Sequence, residues 1–153
     1  MEHPIIAIGS DHAGWQLKEL LKPMLTQSGY HVIDCGPNSK DSVDYPDYAQ
    51  LVGQEVSIGH ADLGILVCGT GTGMAIAANK IRGVRAANCT NTTQSKLSRE
   101  HNDANILCLG SRIVGDELAI DIVKSFLQAT FLGDRHARRV NKIKSLEEPD
   151  DRA

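Results

Sequence analysis

An α/β protein is predicted, a three-layer α/β/α sandwich built on a five-stranded parallel sheet with an extra C-terminal helix. Three observations carry that prediction. Five short apolar runs, at Ile5–Ile8, His31–Ile33, Leu63–Val67, Val84–Cys89 and Ile106–Leu109, are spaced along the 153 residues. Each is followed by a stretch with helical periodicity or helix-start chemistry, and the loops between them are short. Alternation of this kind implies right-handed crossovers, and therefore a sheet covered on both faces.

In order along the chain, Ile5–Ile8 is the first strand and Gly9-Ser10-Asp11-His12 a polar loop at its carboxyl end. The helix that follows carries Leu17, Leu20, Leu21, Met24 and Leu25 at spacings of three and four, one apolar stripe. Pro23 interrupts it by removing a backbone donor, which predicts a kink or an early finish before Ser28, with Gly29 as terminator. After strand 31–33 comes a polar loop, Cys35–Val43. Asp44-Tyr45-Pro46 then reads as a helix start, with Ala49, Val52 and Val56 on the buried side. Leu63–Val67 is short, branched and uncharged, as suits a fully buried strand, and Cys68 ends it. The helix predicted from Thr92 to about Asn102 has almost no apolar stripe, which suggests service to a site or a partner. Asp116–Ala129 is the most amphipathic, with Leu118, Ile122, Val123 and Phe126 on one side. Arg135–Leu146 is basic, with a narrow stripe of Val140, Ile143 and Leu146, and Glu147–Ala153 should fray. The expected organisation is one Rossmann-like domain over 1–146 with a tail at 147–153.

Composition limits the function classes. A formal net charge of −3 supplies no basic field for sequence-independent nucleic-acid binding. Cys35, Cys68, Cys89 and Cys108 form no Cys-x-x-Cys pair and have no histidine at finger spacing, which argues against zinc and against a disulfide scaffold. A reducing, cytoplasmic home is expected. The start, Met1-Glu2-His3-Pro4, has no leader character, and no apolar run approaches the roughly 18 residues of a membrane span.

The chemistry is expected in Gly64–Lys80, GILVCGTGTGMAIAANK. Gly69-Thr70-Gly71-Thr72-Gly73 can bend sharply and bring several N–H groups to one anion at the start of the helix holding Met74, Ala75, Ala77 and Ala78. A P-loop would need Gly-Lys-Ser/Thr after four intervening residues, and a dinucleotide fingerprint needs Gly or Ala where Met74 or Ile76 falls. Neither is met. Ligands in parallel sheets bind beyond the carboxyl ends of the strands, which gathers Asp11, His12, Cys68, the glycine loop and Arg112 on one edge. His101-Asn102 is a further candidate pair, and Arg135 and Arg139 stand four apart on one helical face, able to converge on a phosphate. Each has a plainer reading taken alone: a small core cysteine, a helix cap at Asp11-His12, a satisfied surface histidine at 101, a solvated basic face on the last helix. Convergence on one edge favours a site.

Six motifs, GSDHAG at 9–14, DYPDYA at 44–49, CGTGTG at 68–73, REHNDAN at 99–105, GSR at 110–112 and RHARRV at 135–140, resemble in order those of B-type ribose-5-phosphate isomerases, from Ile5 to about Ile143. The resemblance implies interconversion of ribose 5-phosphate and ribulose 5-phosphate through an enediol, with no metal and no cofactor. It implies Cys68 as the base between carbons 1 and 2, assisted by Thr70. Gly69, Gly71, Thr72 and Gly73 would hold the enediolate oxygen with Thr70. Asp11 and His101 would open the sugar ring, and Asn102 and Tyr45 would contact substrate. His12, Arg112, Arg135 and Arg139 would hold the phosphate. A homodimer with shared sites is implied, with pairing into tetramers left open. One branch of the family replaces the cysteine by a glutamate six residues later, where this chain has Met74. Allose-6-phosphate and galactose-6-phosphate isomerases share the scaffold, so the motifs leave substrate length open. A phosphosugar-binding module without turnover would not need Cys68 or His101. Enolisation suits one pivoting thiolate favoured by helix-terminal N–H groups, which also stabilise the developing oxygen charge.

Overall fold

The computed structural model describes residues 4–147, so the expected tail beyond 147 lies outside the described residues. Five strands, β1 (Ile5–Ser10), β2 (His31–Asp34), β3 (Leu63–Cys68), β4 (Ala86–Asn88) and β5 (Ile106–Gly110), form one parallel sheet of order β2-β1-β3-β5-β4. The six helices are α1 (Trp15–Gln27), α2 (Tyr45–Ser57), α3 (Thr72–Ala78), α4 (Thr92–Asn102), α5 (Asp116–Gln128) and α6 (Arg135–Ser145). Successive strand residues point to opposite faces. Ile6, Ile8, Ile65, Val67, Leu107 and Leu109 therefore pack under α1 and α5, while Ala7, Leu66, Cys68, Ile106 and Cys108 pack under α2 and α3. The order reverses between β1 and β3, the place where a doubly wound sheet opens a crevice at its carboxyl edge.

Local chemistry accounts for most element ends. After α1, Tyr30 N–H reaches the Leu25 carbonyl and Gly29 N–H that of Thr26, with Gly29 at φ 92°, a Schellman ending. Asn91 caps α4 by accepting the Gln94 N–H at 2.8 Å, and Gln94 returns the bond to the Thr90 N–H at 2.9 Å.

Several expectations are corrected. Helix α1 does not finish early: it passes through Pro23 to Gln27, because Pro23 lies on the exposed face, where water can serve the carbonyl left without a donor. Strand β4 is shorter than 84–89, since Arg85 gives its N–H to Asn105 Oδ1 and its carbonyl to the Asn105 N–H, leaving the ladder to start at Ala86. Leu118 faces solvent, and the buried stripe of α5 is Ala119, Ile122, Val123 and Phe126. On α6, Ile143 and Leu146 are exposed, and the inward positions are His136 and Val140, four apart. Glu147 is not frayed: its carboxylate accepts the Gly83 N–H at 3.0 Å and its carbonyl accepts from Arg82. The polar α4 packs on α5 through small side chains, Ser95 donating to the Ile122 carbonyl and Ser98 to that of Ser95.

Candidate active site

The loops that follow β1, β3 and β5 meet at the carboxyl edge of the sheet. Asp11 N–H bonds the Val67 carbonyl at 3.1 Å, Ser111 N–H that of Cys68 at 2.9 Å and Arg112 N–H that of Gly69 at 2.9 Å. Ser111 Oγ also donates to the Ala13 carbonyl, linking the loops after β1 and β5. At Gly14 a β-carbon would lie 2.3 Å from the Val67 carbonyl oxygen, so the start of α1 sits directly on the end of β3. This backbone lattice leaves the crevice floor little freedom.

Cys68 is buried on the α2/α3 face, and its Sγ accepts the Gly71 N–H at 3.1 Å. That bond aims a backbone donor at the sulfur from the loop that follows it. The other thiols are differently placed: burial pushes Cys35 and Cys89 up to about 11, and Cys108, fully enclosed, well above its ordinary value. They stay protonated and inert. Gly71 is left-handed, at φ 80°, which lets the chain turn back over the sulfur before α3 begins. Arg112 lies over Gly69, its Nη1 within 3.1 Å of where a β-carbon would stand, and the Tyr45 ring lies equally close over Gly73. Met74 is wholly buried in the core and reaches no part of the crevice surface.

Asp11 is buried, and its Oδ1 accepts the Gly14 N–H at 2.9 Å, so it shapes the loop before α1. His12 is exposed, and its Nδ1 lies against the Val43 backbone, 3.1 Å from the N–H and 3.2 Å from the carbonyl oxygen. Thr70 and Thr72 are exposed on the loop. Thus Asp11, His12, Tyr45, Cys68, the glycine loop and Arg112 come together.

His101, Asn102, Arg135 and Arg139 do not join them. In a parallel sheet a crossover helix runs back against its strands, so α4 ends at the amino edge, where the Asn105 carbonyl accepts the Gly64 N–H. The Leu132 N–H bonds the Glu100 carbonyl and His136 stacks on His101, with ring centroids 4.3 Å apart and 10° between planes, which brings the start of α6 to the same place. Burial lowers the His136 pKa, reinforced by His101, Arg135 and Arg139. Six residues of β3 separate the two edges by about 17 Å. Beside Asn102 a groove of about 530 Å³ opens between the edge strand β4 and the exposed Ile143 and Leu146.

Three residues of consequence escaped the sequence reading. Lys18, on the apolar side of α1, is wholly buried and pairs with Asp34 at 2.9 Å, while Lys22 joins the same carboxylate at 2.7 Å. Its place between Leu17 and Leu21 was the available signal. His136 lay in a quoted motif, but nothing local distinguishes a stacked histidine from a solvated one. Asn88, behind the glycine loop, has no signal in the sequence at all. Among the described residues no group of three or more His, Cys, Asp or Glu could hold a metal ion, and no helix is long and apolar enough to cross a membrane.

A thiol that accepts a backbone N–H, with a guanidinium lying over the same glycine loop, is the arrangement this edge of the sheet presents. The family model for Ribose/Galactose Isomerase matches residues 6–143, and the chain belongs to that family. The Escherichia coli K12 protein named ribose-5-phosphate isomerase B is 48% identical over 143 residues, 94% of this chain and 96% of that one. The structure of Clostridium thermocellum ribose-5-phosphate isomerase B superposes with a TM-score of 0.92 at 54% identity, covering 94% of this chain and 97% of the other. That of the Mycoplasma genitalium enzyme with bound ribulose-5-phosphate gives a TM-score of 0.92 at 46% identity, over 95% and 97%. The α/β fold with its five-stranded parallel sheet is thus that of these enzymes.

Proposed function

We propose that this chain is a ribose-5-phosphate isomerase, interconverting ribose 5-phosphate and ribulose 5-phosphate through an enediolate, with residues 1–146 as the catalytic unit. The observation that carries the reading is the Gly71 N–H directed at Cys68 Sγ in a loop that Arg112 and Tyr45 flank. Cys68 takes the proton from one carbon and returns it to the other, with Thr70 assisting. N–H groups of residues 69–73 receive the charge that develops on oxygen. Asp11 and His101 move the ring proton of the closed aldose. Tyr45 and Asn102 contact the sugar, and His12, Arg112, Arg135 and Arg139 hold the phosphate, whose binding energy positions the reacting carbons.

One chain separates these groups by the length of β3, about 17 Å and farther than a pentose phosphate spans. A homodimer resolves this: the amino-edge set of one copy completes the carboxyl-edge set of the other, and the apolar groove beside Asn102 supports such a contact. The four free thiols suit a cytoplasmic setting. The test is a coupled assay against ribose 5-phosphate, allose 6-phosphate and galactose 6-phosphate, with and without chelator. Turnover of the pentose above both hexoses, unaffected by chelator, is the expected result, and a hexose preference reassigns the substrate.

A further inference from the structure

Asn88 closes the edge strand β4 behind the glycine loop. Its Nδ2 lies 3.3 Å from the Thr70 carbonyl and 3.4 Å from Thr72 Oγ1, donating to both. Its Oδ1 is buried and has no hydrogen-bond partner. Reversing the amide would not relieve this, because it would turn the oxygen onto the Thr70 carbonyl. The same Oδ1 occupies the space where any side chain at 71 would begin: a β-carbon there would be 2.3 Å away. An orphaned buried oxygen is a standing cost, and it is retained where the shape it enforces is useful. Its neighbour here is the left-handed Gly71, whose N–H meets the Cys68 sulfur.

We propose that Asn88 is a positioning residue for Cys68, acting through Gly71: it ties the carbonyl before that glycine and the hydroxyl after it, and so aims the Gly71 N–H at the thiol. The inference rests on Cys68 being the base, but its primary test needs no substrate. Cys108 on β5 interacts with the thiol, and the charged or titratable groups on the segments packed about its loop are Asp11, bonded through its N–H to Val67, Arg112 against Gly69 and Tyr45 against Gly73. Substitution at 88 leaves all of them in place.

The experiment is a thiolate titration by ultraviolet absorbance of the full chain, with Cys68→Ala subtracting the other three thiols, in Asn88→Ala and Asn88→Asp. Loss of one oriented bond to a charged sulfur should lower the thiolate constant of Asn88→Ala about tenfold. Asn88→Asp, which adds a carboxylate beside the loop, should shift further in the same direction. Amide exchange at Gly71 should quicken in both, and kcat should fall by a similar factor with KM little changed. Should Asn88→Ala not fold, Asn88→Ser is read in its place. A wild-type titration midpoint in a folded variant at 88 overturns the proposal. Absence of sugar-phosphate turnover in the wild-type protein would count against the isomerase reading while leaving the thiol titration intact.

Discussion

The two edges of the sheet carry the two halves of the proposed site, and they are made of different materials. At the carboxyl edge, carbonyls of β3 and its loop take N–H groups from the loops after β1 and β5, and glycines admit neighbours where a β-carbon would collide. At the amino edge the groups are long side chains on helix ends, held by one ring stack and otherwise facing outward. A preorganised backbone suits the stabilisation of a charge that appears only during reaction. Outward arginines and a half-buried histidine suit a surface that a second copy completes.

The largest effect expected is that of Cys68→Ala, which should lower turnover by about a thousandfold or more while phosphosugar binding, followed calorimetrically, survives. The comparison of edges sharpens this. Mixing Cys68→Ala with His101→Asn and allowing subunits to exchange should restore about a quarter of wild-type activity, because half of the dimers then contain one intact shared site. Absence of recovery after verified exchange would mean that each chain uses its own two edges.

Next in size, His101→Asn should depress conversion of ribose 5-phosphate about a hundredfold. Ribulose 5-phosphate cannot close a five-membered ring, its 5-hydroxyl carrying the phosphate, so the ketose needs no ring chemistry. Given this ketose in heavy water, the variant should still exchange the carbon-1 hydrogen through Cys68. Equal loss of exchange and net conversion, in a folded dimer, would place His101 in enolisation or binding. Smaller again, Arg135→Ala or Arg139→Ala should raise KM about tenfold with kcat nearly kept, as loss of one charge-assisted phosphate contact does. Unaltered KM in both would leave α6 a solvated face.

The contrast between edges also explains what the sequence made legible. Cys68 and CGTGTG could be read directly, since a strand end followed by glycines dictates its own geometry whatever packs around it. The parallel sheet followed from alternation, but not the order β2-β1-β3-β5-β4, because strand order is a choice among similar burials. The end of α4 falls at the amino edge by the crossover alone, whereas Arg135 is brought there by the His136 stack on His101, a contact between segments far apart in sequence. Leu118, Ile143 and Leu146 were misread for a related reason: hydrophobicity marks a residue as able to be buried, whereas the face that packs is set by the neighbouring element. Ser95 and Ser98 are the converse, buried polar residues whose smallness lets α4 approach α5.

The smallest effect lies at the amino edge alone and concerns stability. Burial, aided by the charges of His101, Arg135 and Arg139 and opposed by Asp134, holds His136 below its ordinary 6.5. The unfolded chain therefore takes up this proton before the folded one does. The contribution of His136 is fully present above pH 6.5 and is lost as pH falls through the lower folded value. The melting temperature of the wild-type protein should accordingly decline on acidification across that window. His136→Phe keeps a flat ring against His101 but cannot titrate, so its melting temperature should vary less over the same range. Thiol chemistry at Cys68 sits at the other edge and should not follow this variant, so the Cys68 thiolate titration should keep its wild-type midpoint. An identical decline in wild type and His136→Phe would assign the pH sensitivity to other groups, and a shifted Cys68 midpoint would show that the two edges are coupled through the sheet.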